Sequence, residues 1–162
     1  GQILSFSGRQ EFKPRLSDLN QLIIEASTFA RHRITEQQIV FRQKLSDLLP
    51  HTMVDPYQLQ QVFLNLINNA LDALPKGGSF DIITDVEKNN IEIKFIDNGE
   101  GIKQENIDKI FDPFFTTKPV GKGVGLGLSI SYSIIQQHRG KIDIKSAENK
   151  GTTVTITLPA PL

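Results

Sequence analysis

Four glycines alternate with other residues in the stretch GKGVGLGLSI: Gly121, Gly123, Gly125 and Gly127. Glycine has no side chain to hold a ligand away from the backbone, and inside a helix or strand it costs about 0.5–1 kcal/mol relative to alanine. The spacing matches neither the G-x-G-x-x-G dinucleotide fingerprint nor the G-x-x-x-x-G-K-[ST] phosphate loop. Because an apolar run predicted to be helical follows, the glycines are placed to present free backbone N–H groups and the positive end of a helix dipole to an anion. A phosphate-binding loop and a surface linker both fit this stretch taken alone.

A second polar set runs along one face of the clearest predicted helix, in DPYQLQQVFLNLINNALDALP. Asn65, Asn69 and Asp72 stand at i, i+4 and i+7 and therefore share that face, whereas most other positions are apolar. Asparagine is a poorer helix former than alanine by roughly 0.5 kcal/mol, so its repeated use indicates a role for the amide groups. A carboxamide offers a neutral oxygen to a hard cation and an N–H donor to a phosphate oxygen. Capping of nearby loops is the alternative.

A third set, in the stretch IDNGEG, consists of Asp97, Gly99 and Gly101. An aspartate at the end of a predicted strand, followed by glycines, is often only a turn. A buried carboxylate at this position would also accept a hydrogen bond from the amino group of an adenine base. The glycines would then let the base lie flat against the backbone.

The hydrophobic pattern predicts the elements that must position these groups. The expected helices cover about 16–30, 56–74, 104–110 and 126–138. The expected strands lie near Ile39 and Phe41 and over 80–86, 91–96, 141–145 and 152–158. Asp55 is the expected N-cap of the helix over 56–74, and Pro56 suits its first turn. This order predicts an α+β fold, with one mixed or antiparallel sheet of about five strands covered on one face by helices.

Composition narrows the class of protein. Among 162 residues, 18 Lys and Arg balance 18 Asp and Glu, which argues against a general nucleic-acid binder. Because there is no cysteine, disulfides, thiolate zinc sites and a cysteine nucleophile are excluded. No apolar run reaches the roughly 18 residues of a membrane span, and no signal peptide is visible in this segment. Residues 1–15 are interpreted as the end of an upstream helix and a linker, and 16–162 as one domain.

Taken in order, the motifs resemble the catalytic, ATP-binding domain of two-component sensor histidine kinases, within the GHKL superfamily. They are N-L-x-x-N-A-x-x-A at 65–73, D-x-G-x-G at 97–101, FDPFFTTK at 111–118, GKGVGLGL at 121–128 and the later GTTVTITLP. Each is weak alone, whereas all five in this order are specific. The resemblance covers about 16–158, and FFTTKPVGKGVGLGLSI is most similar to the nitrogen-regulation and dicarboxylate-sensing type. It implies a two-layer α/β sandwich of the Bergerat type, with ATP bound between helices and a mobile lid.

The resemblance also implies roles for residues. Asn69 becomes the main magnesium ligand, with Asn65 beside it near the phosphates, and Asp97 binds the adenine amino group. Gly99 and Gly101 allow close approach of the base. Ile102 and Ala70 line the base pocket. Thr152 shares the inward parity of Val154 and Ile156 and reaches the base through water.

Further nucleotide contacts are implied in the lid and beside it. These residues are Asp72, Phe115, Thr116, Thr117, Lys118, Gly121, Lys122, Gly123, Val124, Gly125, Leu126, Gly127 and Leu128. Lys118 and Lys122 are the expected phosphate contacts, and the lid over 116–125 is expected to close over the nucleotide. Phe111, Phe114 and Phe115 are expected to anchor the lid, although a core position suits Phe111 equally well.

Two departures from related patterns shape the expected chemistry. None of His32, His51 and His138 lies in the H-E-x-x-x-P context of the family's phosphoacceptor, so the catalytic acceptor is not assigned in this chain. Asn65 stands where related chaperone and mismatch-repair ATPases carry a glutamate that activates water. Poor hydrolysis and transfer to an imidazole of another domain are therefore expected, with this domain supplying positioning and charge neutralisation.

The leading hypothesis is an ATP- and Mg²⁺-binding protein histidine kinase domain that phosphorylates a histidine in its own, separate dimerisation domain for relay to a response regulator receiver domain. A cytoplasmic location, no contact with nucleic acid or membrane, and a monomeric fragment are expected of this segment. Membrane attachment of the full-length protein is compatible with it. The alternatives are a GHKL-type ATPase clamp and a catalytically silent nucleotide-binding module.

Overall fold

The computed structural model describes residues 11–111 and 127–161. The described helices are α1 (Leu19–Phe29), α2 (Arg31–Glu36), α3 (Pro56–Ala73), α4 (Gln104–Ile107) and α5 (Gly127–Gln137). The described strands are β1 (Arg15–Ser17), β2 (Val40–Lys44), β3 (Thr52–Val54), β4 (Ser79–Glu87), β5 (Asn90–Asp97), β6 (Lys141–Ala147) and β7 (Gly151–Pro159). No helix within these two ranges is long and apolar enough to cross a lipid bilayer.

Five strands form one mixed sheet in the order β2-β4-β5-β7-β6. β2 runs parallel to β4, and the remaining neighbours pair in antiparallel fashion. The expected α+β class with a five-stranded mixed sheet is confirmed. β1 and β3 form a separate two-stranded antiparallel sheet, which the sequence pattern does not predict.

One face of the large sheet packs on the helices. On β5 every second side chain, Ile91, Ile93 and Phe95, is buried, as the two-residue repeat of a strand requires. On α3 the buried side chains recur at helical spacing and include Phe63, whose ring centroid lies 6.0 Å from that of Phe95. Because α3 packs against α1, α5 and β5, it joins the sheet to both of the other long helices.

The start of α3 is capped as the sequence predicts. The Asp55 carboxylate accepts hydrogen bonds from the backbone N–H groups of Tyr57 and Gln58 at 3.1 and 3.2 Å. Pro56 occupies the first turn, where its missing N–H is not needed. Burial of an apolar side chain on this helix, such as Phe63, stabilises the fold by roughly 1.5–3 kcal/mol.

Several predicted element boundaries were wrong, most of them near the N-terminus. The helix expected from residue 16 begins at Leu19, because Leu16 pairs with Met53 in the small sheet. Its N-cap is Asp18, whose carboxylate accepts from the Gln21 N–H at 3.2 Å. α2, β1 and β3 were not predicted, since elements of three to six residues are too short to show a period. α4 ends at Ile107, before the expected residue 110.

Candidate functional site

Asp97 lies at the end of β5, with only 9% of its surface exposed. Its carboxylate accepts a hydrogen bond from the Gly99 N–H at 2.9 Å. Burial raises the pKa of Asp97 above its usual value, while hydrogen bonds from the backbone of Gly99 and Thr152 act to lower it. Thr152 is the cross-strand partner of Asp97 in β7, so the two side chains are neighbours on one face of the sheet. Asp97 is therefore a buried hydrogen-bond acceptor at the C-terminal end of the central strand.

The loop after Asp97 packs backbone against backbone. A Cβ at Gly99 would collide with the carbonyl oxygen of Ala73, at the end of α3. Gly101 has a φ of +71°, and a Cβ there would collide with the carbonyl oxygen of Ala147. The Glu100 N–H donates to the Ala73 carbonyl at 3.1 Å. Close packing against Ala73 and Ala147 is thus enough to require glycine at both positions. Contact of these glycines with an adenine base stays a prediction.

Ser146 in β6 holds the other side of this loop. Its hydroxyl oxygen lies 2.8 Å from the Thr152 hydroxyl oxygen, donates to the Gly151 carbonyl at 3.1 Å and accepts from the Ile102 N–H at 2.8 Å. Ile102 and Thr152, both predicted site residues, are brought together by this side chain. Sequence reasoning missed Ser146, although its pairing with Thr152 across the β6–β7 hairpin follows from the predicted turn SAENKG.

The polar face of α3, which carries Asn65, Asn69 and Asp72, lies close to the Asp97 loop at the C-terminal end of the helix. Ala70 is buried, one turn before the Ala73 carbonyl that contacts the loop. Asn65 and Asn69 are half-buried, and the Asn65 amide nitrogen lies 3.5 Å from the hydroxyl of Ser131, a fully buried residue of α5. At Asn65, the amide-bearing face of α3 therefore lies beside α5.

Asp72 has a different neighbour. Its carboxylate forms an ion pair with Arg33 of α2, and the same guanidinium approaches the Asn68 side-chain oxygen at 3.5 Å. Arg33 also donates to Gln37 at 2.7 Å. Since α2 was not predicted, this pairing could not be anticipated, and a nucleotide contact by Asp72 stays a prediction.

Two residues that flank the lid sequence, Phe111 and Leu128, pack against the described core. Phe111 is half-buried and its ring centroid lies 5.1 Å from that of Tyr132 in α5, so it packs against the core, the alternative role given for it above. Gly127 opens α5, and Leu128 is half-buried against the core. The lid over 116–125 lies outside the described residues, as do the anchors Phe114 and Phe115 and the neighbouring Leu126. The predicted nucleotide contacts within the lid are Thr116, Thr117, Lys118, Gly121, Lys122, Gly123, Val124 and Gly125.

Among the described residues, acidic and histidine side chains do not form a metal centre by themselves. Across 11–111 and 127–161, no three His, Cys, Asp or Glu residues come together in a group that could hold a metal ion.

A groove of about 570 Å³ lies at the opposite end of α3. Its lining residues are Glu11, Lys13, Arg15, Asp55, Pro56, Tyr57 and Gln61. The 18 residues of α3 rise about 27 Å, which separates this groove from the Asp97 loop. Of the predicted nucleotide-contacting residues that the structure describes, none lines this groove.

His138 is buried and has both ring nitrogens engaged. Its Nε2 accepts from the Asp55 N–H at 3.0 Å, and its Nδ1 lies 2.8 Å from the Ile134 carbonyl oxygen. Burial lowers the pKa of His138, although the Ile134 hydrogen bond and the Asp55 charge act to raise it. His138 is therefore a structural residue.

The other two histidines lie on the surface. His32 is exposed and lies 3.0 Å from Glu36, and His51 is exposed near Asp18.

Comparisons with known sequences agree with the geometry. The sequence model of the family described as Histidine kinase-, DNA gyrase B-, and HSP90-like ATPase matches residues 54–162. Sensor histidine kinase ZraS of Escherichia coli is 37% identical over 142 residues, which are 88% of this chain and 30% of ZraS. Sensor protein FixL of Bradyrhizobium diazoefficiens is 36% identical over 167 residues, covering 99% of this chain and 33% of FixL. The chain spans about a third of the length of these relatives, and the nitrogen-regulation subtype stays a prediction.

Solved structures show the same fold. The nucleotide-free catalytic domain of histidine kinase ThkA superposes with a TM-score of 0.80 at 32% identity, covering 93% of this chain and 96% of that one. ThkA in complex with response regulator protein TrrA gives a TM-score of 0.83 at 29% identity, covering 99% and 46%. The chain belongs to the histidine kinase-, DNA gyrase B- and HSP90-like ATPase family, and within it to the ATP-binding catalytic domains of sensor histidine kinases.

Proposed function

We propose that this domain binds ATP with the adenine amino group on Asp97 and transfers the γ-phosphoryl group to a histidine of a separate dimerisation domain. The observation that carries the proposal is the buried Asp97 carboxylate, held by the Gly99 N–H at 2.9 Å. A buried acceptor with fixed orientation favours a ligand that offers an N–H donor. The half-buried Ile102 and the buried Ala70 would contact the base beside it.

The triphosphate would lie along the α3 face that carries Asn65 and Asn69. The donor set suits this role, because neutral amide oxygens bind a hard cation without adding negative charge beside the phosphates. Asn69, with Asn65 next to it, would hold the magnesium ion that neutralises phosphate charge when bound. Lys118 and Lys122 of the lid are proposed as the phosphate contacts.

The arrangement on α3 favours transfer over hydrolysis. Asn65 has no carboxylate with which to activate water, and the nearby Asp72 carboxylate is paired with Arg33. His138 is occupied at both ring nitrogens, which supports an acceptor in another domain. The solved complex of ThkA with a response regulator supports a receiver domain as the second partner. Under this proposal the segment works in the cytoplasm, where ATP is available, as a monomer when separated from its dimerisation domain.

Two measurements test the proposal. Titration calorimetry with Mg²⁺ and ATP or ADP should show binding at millimolar nucleotide or below, and an absence of heat would overturn it. The domain is then mixed with ATP, Mg²⁺ and the upstream dimerisation helices of its full-length protein. Acid-labile, base-stable phosphate on a histidine is the expected product. Steady phosphate release without acceptor, lost in Asn69→Ala, would instead identify an ATPase clamp, and binding without either reaction a silent module.

A further inference from the structure

Arg33 of α2 is held against the last turns of α3. Its guanidinium forms an ion pair with Asp72 and approaches the Asn68 side-chain oxygen at 3.5 Å. The Nε of Arg33 donates to the Gln37 side-chain oxygen at 2.7 Å. The Gln37 side-chain nitrogen in turn donates to the Leu71 carbonyl of α3 at 3.1 Å. Because these bonds hold the planar guanidinium from more than one side, its charge is directed at Asp72 in a fixed orientation.

Asp72 places negative charge on the face of α3 that would hold the nucleotide phosphates. It stands three residues after Asn69 and seven after Asn65, so the three side chains share one side of the helix. Residues three apart on a helix have Cβ atoms about 5–6 Å from each other. A carboxylate at that distance from a phosphate site repels the phosphates, whereas the neutral amides beside it do not.

Arg33 offsets this repulsion because its positive charge lies against the Asp72 carboxylate. Opposite charges in contact largely cancel when felt from further away. The two side chains of the pair are 38% and 31% exposed, so water and salt weaken the effect of each charge but do not remove it. Loss of the guanidinium would therefore make this side of α3 more negative.

We propose that Arg33 is a positioning residue for phosphoryl transfer, which acts through its ion pair with Asp72 to lower the repulsion between α3 and the phosphates of ATP. The inference rests on the proposed function, since it requires the phosphates to lie beside Asn69. Arg33 does not touch the nucleotide. Its effect on ATP binding depends on the presence of the Asp72 carboxylate.

The test measures the dissociation constant of ATP with Mg²⁺ by calorimetry on the whole chain. It is done at about 0.1 M and about 1 M NaCl, where the Debye length is about 10 Å and about 3 Å. Arg33→Gln should weaken ATP binding by about five- to tenfold at the lower salt and by less than about twofold at the higher. Arg33→Lys keeps the positive charge and should stay within about twofold of wild type.

A double-mutant cycle shows whether Arg33 acts through Asp72. Asp72→Asn removes the carboxylate and leaves the guanidinium, so it should strengthen ATP binding by at least about twofold at the lower salt. The double variant Arg33→Gln/Asp72→Asn should return close to wild type, because both charges are gone. If the double variant binds ATP as weakly as Arg33→Gln, Arg33 acts on the phosphates directly. If Asp72→Asn weakens binding, Asp72 is itself a ligand. Either result overturns the inference.

Arg42→Gln is the matched control for the change in charge. Arg42 pairs with Asp81, which alternates with the buried side chains of β4 and so lies on the sheet face away from the helices. The variant should leave ATP affinity within about twofold of wild type. Thermal unfolding without nucleotide checks that each variant is folded, and Arg33→Lys with Asp72→Asn decides the matter if Arg33→Gln is not.

The remaining results separate this inference from the function on which it rests. If Asn69→Ala weakens ATP binding but Arg33→Gln does not, or if the loss in Arg33→Gln is the same at both salt concentrations, only the role of Arg33 is wrong. If wild type binds no ATP, or if Asn69→Ala leaves ATP affinity unchanged, the phosphates do not lie on this face of α3 and both proposals fail.

Discussion

The imidazole Nε2 of His138 accepts a hydrogen bond from the backbone N–H of Asp55 at 3.0 Å. Asp55 also caps α3 through its carboxylate, which accepts from the Lys13 N–H at 2.9 Å as well. The ring of Phe12 packs edge-on against His138 at a centroid distance of 5.0 Å. The buried imidazole that follows α5 thus contacts both the start of α3 and Phe12, which precedes β1.

Protonation of His138 is expected to destabilise the fold. Burial lowers its pKa below the usual 6.5, so the unfolded chain binds this proton more readily than the folded protein does. Stability is therefore fully present above pH 6.5 and is lost as the pH falls from there through the folded pKa. His138→Phe leaves the Asp55 N–H without its acceptor, at a cost of about 1–3 kcal/mol at pH 7.5, and should flatten the dependence between pH 7 and 5. Urea unfolding over this pH range measures both effects.

His51→Phe is the matched control. His51 is exposed, and its one charged neighbour among the described contacts, Asp18, lies as far away as 3.9 Å. Its replacement should therefore change the free energy of unfolding by no more than about 0.5 kcal/mol. If the His138→Phe and wild-type curves run parallel across the pH range, the buried imidazole is not the titrating group and the prediction is wrong.

Asp97→Asn should separate stability from binding. Burial raises the pKa of Asp97 above 3.8, so its contribution to stability is present at low pH and is lost as the pH rises through the folded value. Because burial raises the pKa of Asp97, ionisation of its carboxylate costs stability, and a neutral amide removes that cost while giving up one acceptor. We expect an unchanged or higher thermal midpoint without nucleotide, but ATP affinity lower by at least about tenfold. Asp81→Asn, which breaks a surface pair with Arg42, should leave ATP affinity unchanged. If the thermal midpoint of Asp97→Asn falls so far that unfolding explains its weaker ATP binding, the prediction is wrong.

Gly101→Ala should destabilise the domain more than an alanine at another left-handed glycine. Gly101 has a φ of +71° and its Cβ would collide with the Ala147 carbonyl, whereas Gly77 has a φ of +85° with open space around it. Left-handed backbone alone costs an alanine about 1–2 kcal/mol, so Gly77→Ala measures that part. We expect Gly101→Ala to lose at least about 1 kcal/mol more in urea unfolding, from the collision. Equal losses in the two variants would mean that the loop moves aside freely.

The sequence predicted the helices and strands that are long enough to show a periodic burial pattern, and the positions that are marked by a characteristic residue type. The helix capped by Asp55 and the strand that ends at Asp97 each repeat over two or more turns or several alternations, so their burial patterns are visible without coordinates. The pairing of Asp72 with Arg33 was not predictable, because α2 has only six residues and contacts α3 across a long sequence separation. The predicted turn SAENKG already pairs Ser146 with Thr152. What the sequence does not show is that this pair lies beside Asp97, because β7 lies between β5 and β6 although it follows both in sequence.

Asn69→Ala should remove the part of ATP affinity that depends on magnesium. Alanine is the better helix former by roughly 0.5 kcal/mol, so the substitution does not lower the intrinsic helix propensity of α3. Asn68→Ala is the matched control, since Asn68 is exposed on the same helix and its side-chain oxygen faces Arg33 at 3.5 Å. Calorimetry with Mg²⁺ and with EDTA should show a magnesium-dependent gain in ATP affinity for wild type and Asn68→Ala, and little or none for Asn69→Ala. If Asn68→Ala and Asn69→Ala lose that gain equally, or if neither loses it, the amide-bearing face of α3 is not where the metal and phosphates bind.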